Sequence, residues 1–168
     1  MSGPPPGSGN WVSPFEQDPL ETNTIYCGYT KVYKSINSGG SWSPISQDFV
    51  ANLDQFKIAP TNNLVMYTSR GGFLYKTEDG GATDWTQATT PGGSINSIAI
   101  HPTNPNKIAV AVNNTSKVFV SDDGGTTWQD YLFNLPNFSA LSVIWDDNGE
   151  DGLYLGMNYG IFYIDNTF

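Results

Sequence analysis

An all-β fold of repeated four-stranded antiparallel units follows from three observations on this 168-residue sequence. A short stretch recurs as Ser35–Trp42, Thr77–Trp85 and Ser121–Trp128, with its tryptophans 43 residues apart. A period in that range marks a repeat architecture, each repeat being one supersecondary unit. Between the copies run short β-branched and aromatic stretches bounded by Gly, Pro and Asn, which are strand signals. No segment shows the apolar spacing of an amphipathic helix, so helix content is expected to be close to none. Four strands in a unit of this length predict consecutive β-propeller blades.

In chain order, residues 1–10 are rich in Pro, Gly and Ser and read as a flexible linker. Units are expected over residues 11–50, 51–94, 95–138 and 139–168. Each opens with a strand that stops near a proline: Trp11–Asp18 before Pro19, Phe56–Ala59 before Pro60, Ile98–His101 before Pro102. The fourth, Leu141–Asp146, has Asp147 in that place. Turn-formers follow, as in Leu20–Asn23 and Thr103–Asn106. The second strand is the most apolar: Ile25–Tyr29, Leu64–Ser69, Ile108–Val112 and Leu153–Met157. A brief loop leads to the third: Val32–Ser35, Leu74–Thr77, Val118–Ser121 and Ile161–Ile164. The recurrent stretch then turns the chain into a fourth strand starting at Trp42, Trp85 and Trp128. No tryptophan follows Ile161–Ile164, so three complete blades and three strands of a fourth are expected. That leaves Ile161–Ile164 as an apolar edge, a hazard that sheets normally cover. It is expected to pair with further sequence of a longer protein or with another chain.

The recurrent stretch has a local logic. A Ser or Thr ends one strand, and an Asp or Asn folds its side-chain oxygen onto backbone N–H groups. A glycine supplies a positive φ that residues with a Cβ tolerate poorly. The Trp opens the next strand and packs back over the hairpin, so all three tryptophans are expected to be largely buried. The pattern S-x-D-x-G-x-T-W resembles the Asp-box (BNR) repeats of sialidases, sortilin-type receptors and xyloglucanase-like propellers. Ser121, Asp123, Gly125, Thr127 and Trp128 fit every defined position. Ser35, Asn37, Gly39 and Trp42 carry Asn for Asp, with Ser41 for Thr. Thr77, Asp79, Gly81 and Trp85 carry Thr for Ser and one inserted residue. The resemblance implies that these are structural turn residues on the face opposite any active site. It also implies a secreted bacterial propeller protein in which these units form part of a larger ring.

Composition narrows the function classes. The formal net charge is −9, with seven Lys and Arg together, which argues against nucleic acid and anionic membrane surfaces as partners, and no membrane insertion is expected for want of a long apolar run. Cys27 is the single cysteine, so no intrachain disulfide and no Cys/His zinc pattern is available. No apolar run approaches the roughly 20 residues of a membrane span, and no signal peptide is visible after Met1. A sialidase, by the resemblance, needs three arginines on the substrate carboxylate; Arg70 is the sole arginine, and Lys does not reproduce bidentate recognition. A glycosidase needs two carboxylates across a cleft. Asp18, Asp48, Asp54 and Asp146 are the candidates, but the strand-end column of Asp18 and Asp146 also holds Ala59 and His101. The only histidine, His101, reads as turn-facing rather than as a base. No cofactor is expected, apart from Ca²⁺ as a weak candidate at Asp146, Asn148, Glu150 and Asp151, whose oxygens and glycines could suit it. Asn113, Asn114 and Asn137 begin N-x-S/T sequons.

Ligand-binding candidates are Tyr29, Arg70, Asn113, Asn114 and Tyr159, in loops between second and third strands. Those loops share a face with the connections 47–54 and 130–138, which carry Phe133 and Phe138. The expected function is a non-enzymatic binding or adhesion module of a secreted or cell-surface protein, recognising glycan or protein through this face. The alternatives are an accessory propeller segment of a glycan-degrading enzyme, with catalytic residues elsewhere, and a structural spacer.

Overall fold

The computed structural model describes residues 3–115 and 117–165; Met1 and Ser2 of the linker, Ser116 and the final 166–168 lie outside these. Fifteen strands and no helix appear among the described residues. The first sheet is β1 Phe15–Gln17, β2 Ile25–Gly28, β3 Val32–Ser35 and β4 Ser43–Pro44, in the order 1-2-3-4. The second is β5 Gln55–Ala59, β6 Asn62–Arg70, β7 Phe73–Thr77 and β8 Thr86–Gln87. The third is β9 Ser94–Ile100, β10 Ile108–Asn113, β11 Val118–Ser121 and β12 Gln129–Asp130. The fourth has three strands, β13 Ala140–Trp145, β14 Leu153–Met157 and β15 Ile161–Ile164. Every neighbouring pair is antiparallel.

The sequence places the second and third strands well, because apolar runs bounded by turn residues mark both ends. The first strand of the first unit is shorter than expected. Pro14 has no N–H to donate, so pairing starts at Phe15, although the Pro14 carbonyl still accepts from Gly28 N at 2.9 Å. The fourth strands begin one residue after each tryptophan and last two residues.

First strands of successive sheets pack on one another, β5 on β9 and β9 on β13, so the sheets stack face to face around an axis. Three apolar cores fill the gaps between them. Tyr26 and Val32 of the first unit and Leu53 of the connection meet Phe56, Ile58 and Met66 of the second. Tyr67 and Leu74 of the second meet Ile98, Ile108 and Val110 of the third. Ala109, Ala111 and Val118 of the third meet Val143, Leu153 and Leu155 of the fourth. An inner sheet is thus covered on both faces, which is why β10 is an unbroken apolar run with Ile108 to Val112 all buried. Each large side chain so buried contributes about 1.5–3 kcal/mol. Polar links span the same gaps: Lys57 to Glu16 between the first two sheets, and Lys107 Nζ to Asp151 Oδ2 at 2.9 Å between the last two.

The recurrent turn has one hydrogen-bonding scheme. In the third copy Ser121 Oγ donates to Asp123 Oδ1 at 2.8 Å and accepts from Gly125 N at 2.8 Å. Thr127 N and Oγ1 donate to the two Asp123 carboxylate oxygens at 2.8 and 2.7 Å. The second copy uses Thr77, Asp79, Gly81 and Thr83 in the same places, with Thr83 N and Oγ1 both donating to Asp79 Oδ2. In the first, Asn37 Oδ1 accepts from Ser35 Oγ at 2.9 Å and Ser41 N at 2.8 Å. Gly39, Gly81 and Gly125 all have positive φ, as the turn requires.

Those bonds favour the ionised carboxylate. Hydrogen bonds from Thr127 N and Oγ1, then from Ser121, hold Asp123 down at about 2; bonds from Thr83 and Thr77 do the same for Asp79. Both pKa values lie below the ordinary 3.8, so their stabilisation is complete above that value and is lost as pH falls through about 2. Urea midpoints should therefore be level near neutrality and drop between those limits. Asn37 shows that an uncharged side chain serves the same turn, so Asp123→Asn should reduce the acid dependence with a smaller loss at pH 7 than Asp123→Ala. An Asp123→Asn curve parallel to wild type from pH 5 to 2 would contradict this.

Residues 3–10 form no strand and are mostly exposed, with local contacts to the first sheet. Pro5 is buried, and Gly9 lies so near the Tyr29 ring that a Cβ would come within 2.5 Å of it. Trp42 Nε1 donates to Gly3 O at 3.0 Å. The arm therefore covers part of one face of the first sheet, where Cys27 and Tyr33 are buried. The tryptophans, all expected to be largely buried, differ: Trp85 is 3% exposed, whereas Trp42 and Trp128 are half-buried. The connection near Trp85 sends Phe49 over the indole, with ring centroids 6.4 Å apart. The segments against Trp42 and Trp128 are Gly/Pro/Ser-rich and Thr89-Thr90-Pro91-Gly92-Gly93, with no ring to close the groove.

Candidate functional site

Strand order fixes two rims. The turns after first and third strands lie on one rim. The loops between second and third strands, and the connections between sheets, lie on the other. This second, loop rim is knit by backbone bonds: Phe49 N to Thr30 O at 2.8 Å, Leu53 N to Tyr29 O at 2.8 Å, Ile95 N to Gly71 O at 2.9 Å and Asn158 N to Ser139 O at 3.1 Å. It also carries backbone strain away from glycine. Val50 has φ 71 and Phe133 φ 39, both exposed and both in connections. A β-branched residue at positive φ is a rare conformation, and such strain concentrates at functional loops.

The five candidates of this rim are not equivalent. Tyr159 is 72% exposed and its ring lies tilted against that of Phe138, with centroids 5.2 Å apart. Asn113 and Asn114 are exposed; Asn114 Oδ1 accepts from Thr115 N at 2.6 Å. Arg70 is half-buried and is tied down: its Nη1 donates to Phe49 O at 2.5 Å and its guanidinium lies 5.3 Å from the Phe73 ring. It braces the connection, so its removal would disturb backbone as well as any ligand. Tyr29 is half-buried beneath the arm, 6.2 Å from Tyr33. The arm instead brings Trp11, fully exposed, onto the rim, and Phe73 and Phe133 are exposed there too. Trp11 escaped sequence reasoning because it was placed inside a strand; Pro14, three residues on, was the available signal.

The carboxylate candidates are each occupied locally, and the strand order separates them. Asp18 and Asp146 lie on the turn rim, Asp48 and Asp54 on the loop rim. Asp18 is 3% exposed, accepting from Leu20 N at 2.9 Å, Glu21 N at 3.0 Å, Tyr26 Oη at 2.8 Å and Asn63 Nδ2 at 3.0 Å. Burial acts to raise its pKa, but those four donors outweigh it and the net shift is downward. Its role is to close a turn and hold the second sheet on the first. Asp54 accepts from Gly71 N at 2.6 Å, and Asp48 from Val50 N at 2.8 Å.

In the acidic run 146–152, Asp146, Asn148 and Asp151 bond to protein partners. Asp151, at φ 54, takes Lys107 on one oxygen and His101 Nε2 on the other, each at 2.9 Å. Asn148 Nδ2 donates to Asp146 Oδ2 and to Tyr163 Oη, each at 3.0 Å, while Asn148 Oδ1 accepts from Glu150 N at 2.9 Å. Among the described residues no group of three or more His, Cys, Asp or Glu could hold a metal ion, and of the weak Ca²⁺ candidates Asp146, Asn148, Glu150 and Asp151, three spend side-chain oxygens on the protein bonds just given. His101 is a strut between the third and fourth sheets, stacked edge-on to Trp145 at 5.1 Å.

Residues 22–158 match the family model of the DUF6242 beta propeller domain. The fold is similar to that of an ancestral GH74 enzyme, at 27% identity and a TM-score of 0.76, over 96% of this chain and 23% of that one. It is also similar to a GH74 xyloglucanase from Xanthomonas campestris, at 14% identity and a TM-score of 0.70, over 95% and 30% of the two chains. A third similar structure is YCF48 bound to D1 peptide, at 16% identity and a TM-score of 0.63, over 93% and 48%. The chain thus spans about a quarter of the first of these proteins. No curated protein sequence matches it.

Proposed function

The chain belongs to the DUF6242 beta propeller domain family and is related to GH74 glycoside hydrolases, and from that premise we propose that it is a non-catalytic binding module that holds a glycan on its loop rim. Support comes from one observation above others. That rim exposes Trp11, Phe73, Phe133, Phe138 and Tyr159 beside the strained Val50 and Phe133 backbone. Sugar rings offer flat C–H faces that stack on aromatic rings, and amides such as those of Asn113 and Asn114 can exchange hydrogen bonds with hydroxyls. The module would act at the cell surface or outside the cell, where polysaccharides are met.

Titration calorimetry with xyloglucan and other soluble β-glucan oligosaccharides tests this. Phe138→Ala and Tyr159→Ala should each weaken binding about ten-fold, equivalent to roughly 1.4 kcal/mol. As exposed side chains they should shift the melting temperature by less than about 4 °C. A folded wild-type protein that binds none of a broad glycan panel would remove the glycan reading. The second reading, a segment of a glycan-degrading enzyme, is favoured by the 27% identity to an ancestral GH74 enzyme. Release of reducing sugar by this chain alone would overturn the non-catalytic part of the proposal.

A further inference from the structure

The chain holds one Asn-Gly step, Asn148-Gly149, in the turn between the first and second strands of the fourth sheet. An asparagine can close on its own main chain when the next residue's amide nitrogen reaches its Cγ, and glycine puts no side chain in the way. Asn148, Gly149 and Glu150 are all exposed, and nothing lies within 4 Å of the point that a Gly149 Cβ would occupy. Gly149 N makes no hydrogen bond to any described residue, so it is available as a nucleophile.

The side chain beside it is held in a reactive arrangement. Asn148 Oδ1 accepts from Glu150 N at 2.9 Å. This Asx turn lays the side chain along the peptide units that follow it. It also aims a backbone N–H at the oxygen that becomes an oxyanion when Cγ is attacked, the device that stabilises tetrahedral intermediates in acyl transfer. On the other side, Asn148 Nδ2 lies 3.0 Å from Tyr163 Oη and 3.0 Å from Asp146 Oδ2. As Cγ becomes tetrahedral that nitrogen gains a lone pair, and the Tyr163 hydroxyl can turn its hydrogen to protonate it. Asn37-Ser38 supplies a contrast within the molecule. Asn37 Oδ1 also accepts a backbone N–H, from Ser41 at 2.8 Å, but Ser38 N already donates to Asn23 O at 2.9 Å. Its nucleophile is occupied.

We propose that Asn148-Gly149 is a self-modification site, at which the folded chain converts asparagine to aspartate and isoaspartate. Gly149 N bonds to Asn148 Cγ and gives its proton to solvent. The Cγ–Nδ2 bond breaks, and the nitrogen departs as ammonia with the proton passed by Tyr163, which recovers its own from water. Water then opens the resulting succinimide at either carbonyl, leaving a side-chain carboxylate or, in isoaspartate, a main chain lengthened by a methylene. Either product loses the amide donor that Asp146 and Tyr163 share, and sets a new carboxylate beside Asp146. The same turn is closed by Asp146 N on Gly152 O at 2.7 Å and carries Asp151, which takes Lys107 and His101 of the third sheet. Conversion therefore loosens the polar tie between the third and fourth sheets. The inference is independent of glycan binding on the loop rim.

The test follows the full chain at mildly alkaline pH by peptide mapping and mass spectrometry, beside a synthetic peptide of residues 145–152. Aspartate and isoaspartate at position 148 should accumulate faster in the folded chain than in the peptide, while Asn37 keeps its amide. Gly149→Ala should slow conversion at least about ten-fold by hindering the nucleophile. Tyr163→Phe, which keeps the ring beside Tyr154, should slow the folded chain as well. Conversion of the peptide with none in the folded chain overturns the site. A folded chain no faster than the peptide, or unaffected by Tyr163→Phe, overturns the assisted mechanism. The converted fraction, separated by anion exchange, should melt below the unconverted one, and identical melting overturns the loosening of the sheet tie.

Discussion

Replacing Trp85 by alanine should cost about 3–5 kcal/mol, the range of large core truncations, whereas Trp42→Ala should cost roughly 1–2 kcal/mol. The difference follows from how each groove is closed. Trp85 is 3% exposed, with Phe49 and Phe56 centroids 6.4 and 6.3 Å from its own. Its backbone is fixed as well: Trp85 N donates to Gln47 Oε1 at 2.9 Å, and Gln47 Nε2 donates back to Trp85 O at 2.9 Å. Truncation would leave a cavity between two sheets and an unpartnered Ile45 carbonyl. Trp42, half-buried against a Gly- and Pro-rich arm, leaves a hollow that water can enter. Urea denaturation of the single variants, with the slope checked for constancy, measures both. Equal losses at the two positions would show that the Phe49 lid is energetically idle.

Gly81→Ala should be almost as damaging, at roughly 2–5 kcal/mol, from two separable causes. Gly81 has φ 80, and a Cβ there would lie 2.0 Å from Ile45 O and 2.9 Å from Ile45 Cβ. That carbonyl is also the acceptor of the Trp85 indole, so relief of the clash pulls on the best-buried tryptophan. The molecule contains its own control: Gly149 also has φ 80, but nothing lies within 4 Å of its would-be Cβ. Gly149→Ala should therefore cost only the conformational part, on the order of 1 kcal/mol. If both variants have the same urea midpoint, the close approach of Gly81 to Ile45 carries no energy.

The fold was legible because its signals are local and repeated. Strands such as Val118–Ser121 and Ile161–Ile164 are bounded on both sides by residues whose backbone preferences are strong, so their ends coincide with the sequence reading. The same turn chemistry written three times left little freedom in the third-to-fourth hairpin. What was not legible depends on partners distant in sequence. Nothing near Asp18 in sequence announces that Asn63 will meet it, or that Asp151 will be claimed by His101 and Lys107 of the preceding unit. A carboxylate in an Asp/Gly run reads as a free ligand until the neighbouring sheet is in place. Likewise Tyr29 and Arg70 are polar loop residues by sequence, and only the packed arm and the Phe49 carbonyl show them to be braces. Tyr159 and Phe138 stayed legible because nothing folds over them.

The indole bonds have a direction. Trp42 reaches back to the arm, Trp85 to the first unit and Trp128 to the second, always toward the N-terminal side. In a quasi-one-dimensional array, stability is a sum of unit terms and nearest-neighbour terms. Here part of each neighbour term is an acceptor that the earlier unit must already hold in place. Opening of the first unit therefore removes an acceptor from the second, while opening of the third costs the second no indole bond. The coupling matrix of such a chain is lopsided. Native-state amide exchange should find that sub-global openings begin at the C-terminal side and at the two-residue outer strands, and that the most slowly exchanging amides sit in β6 and β10, whose sheets are covered on both faces.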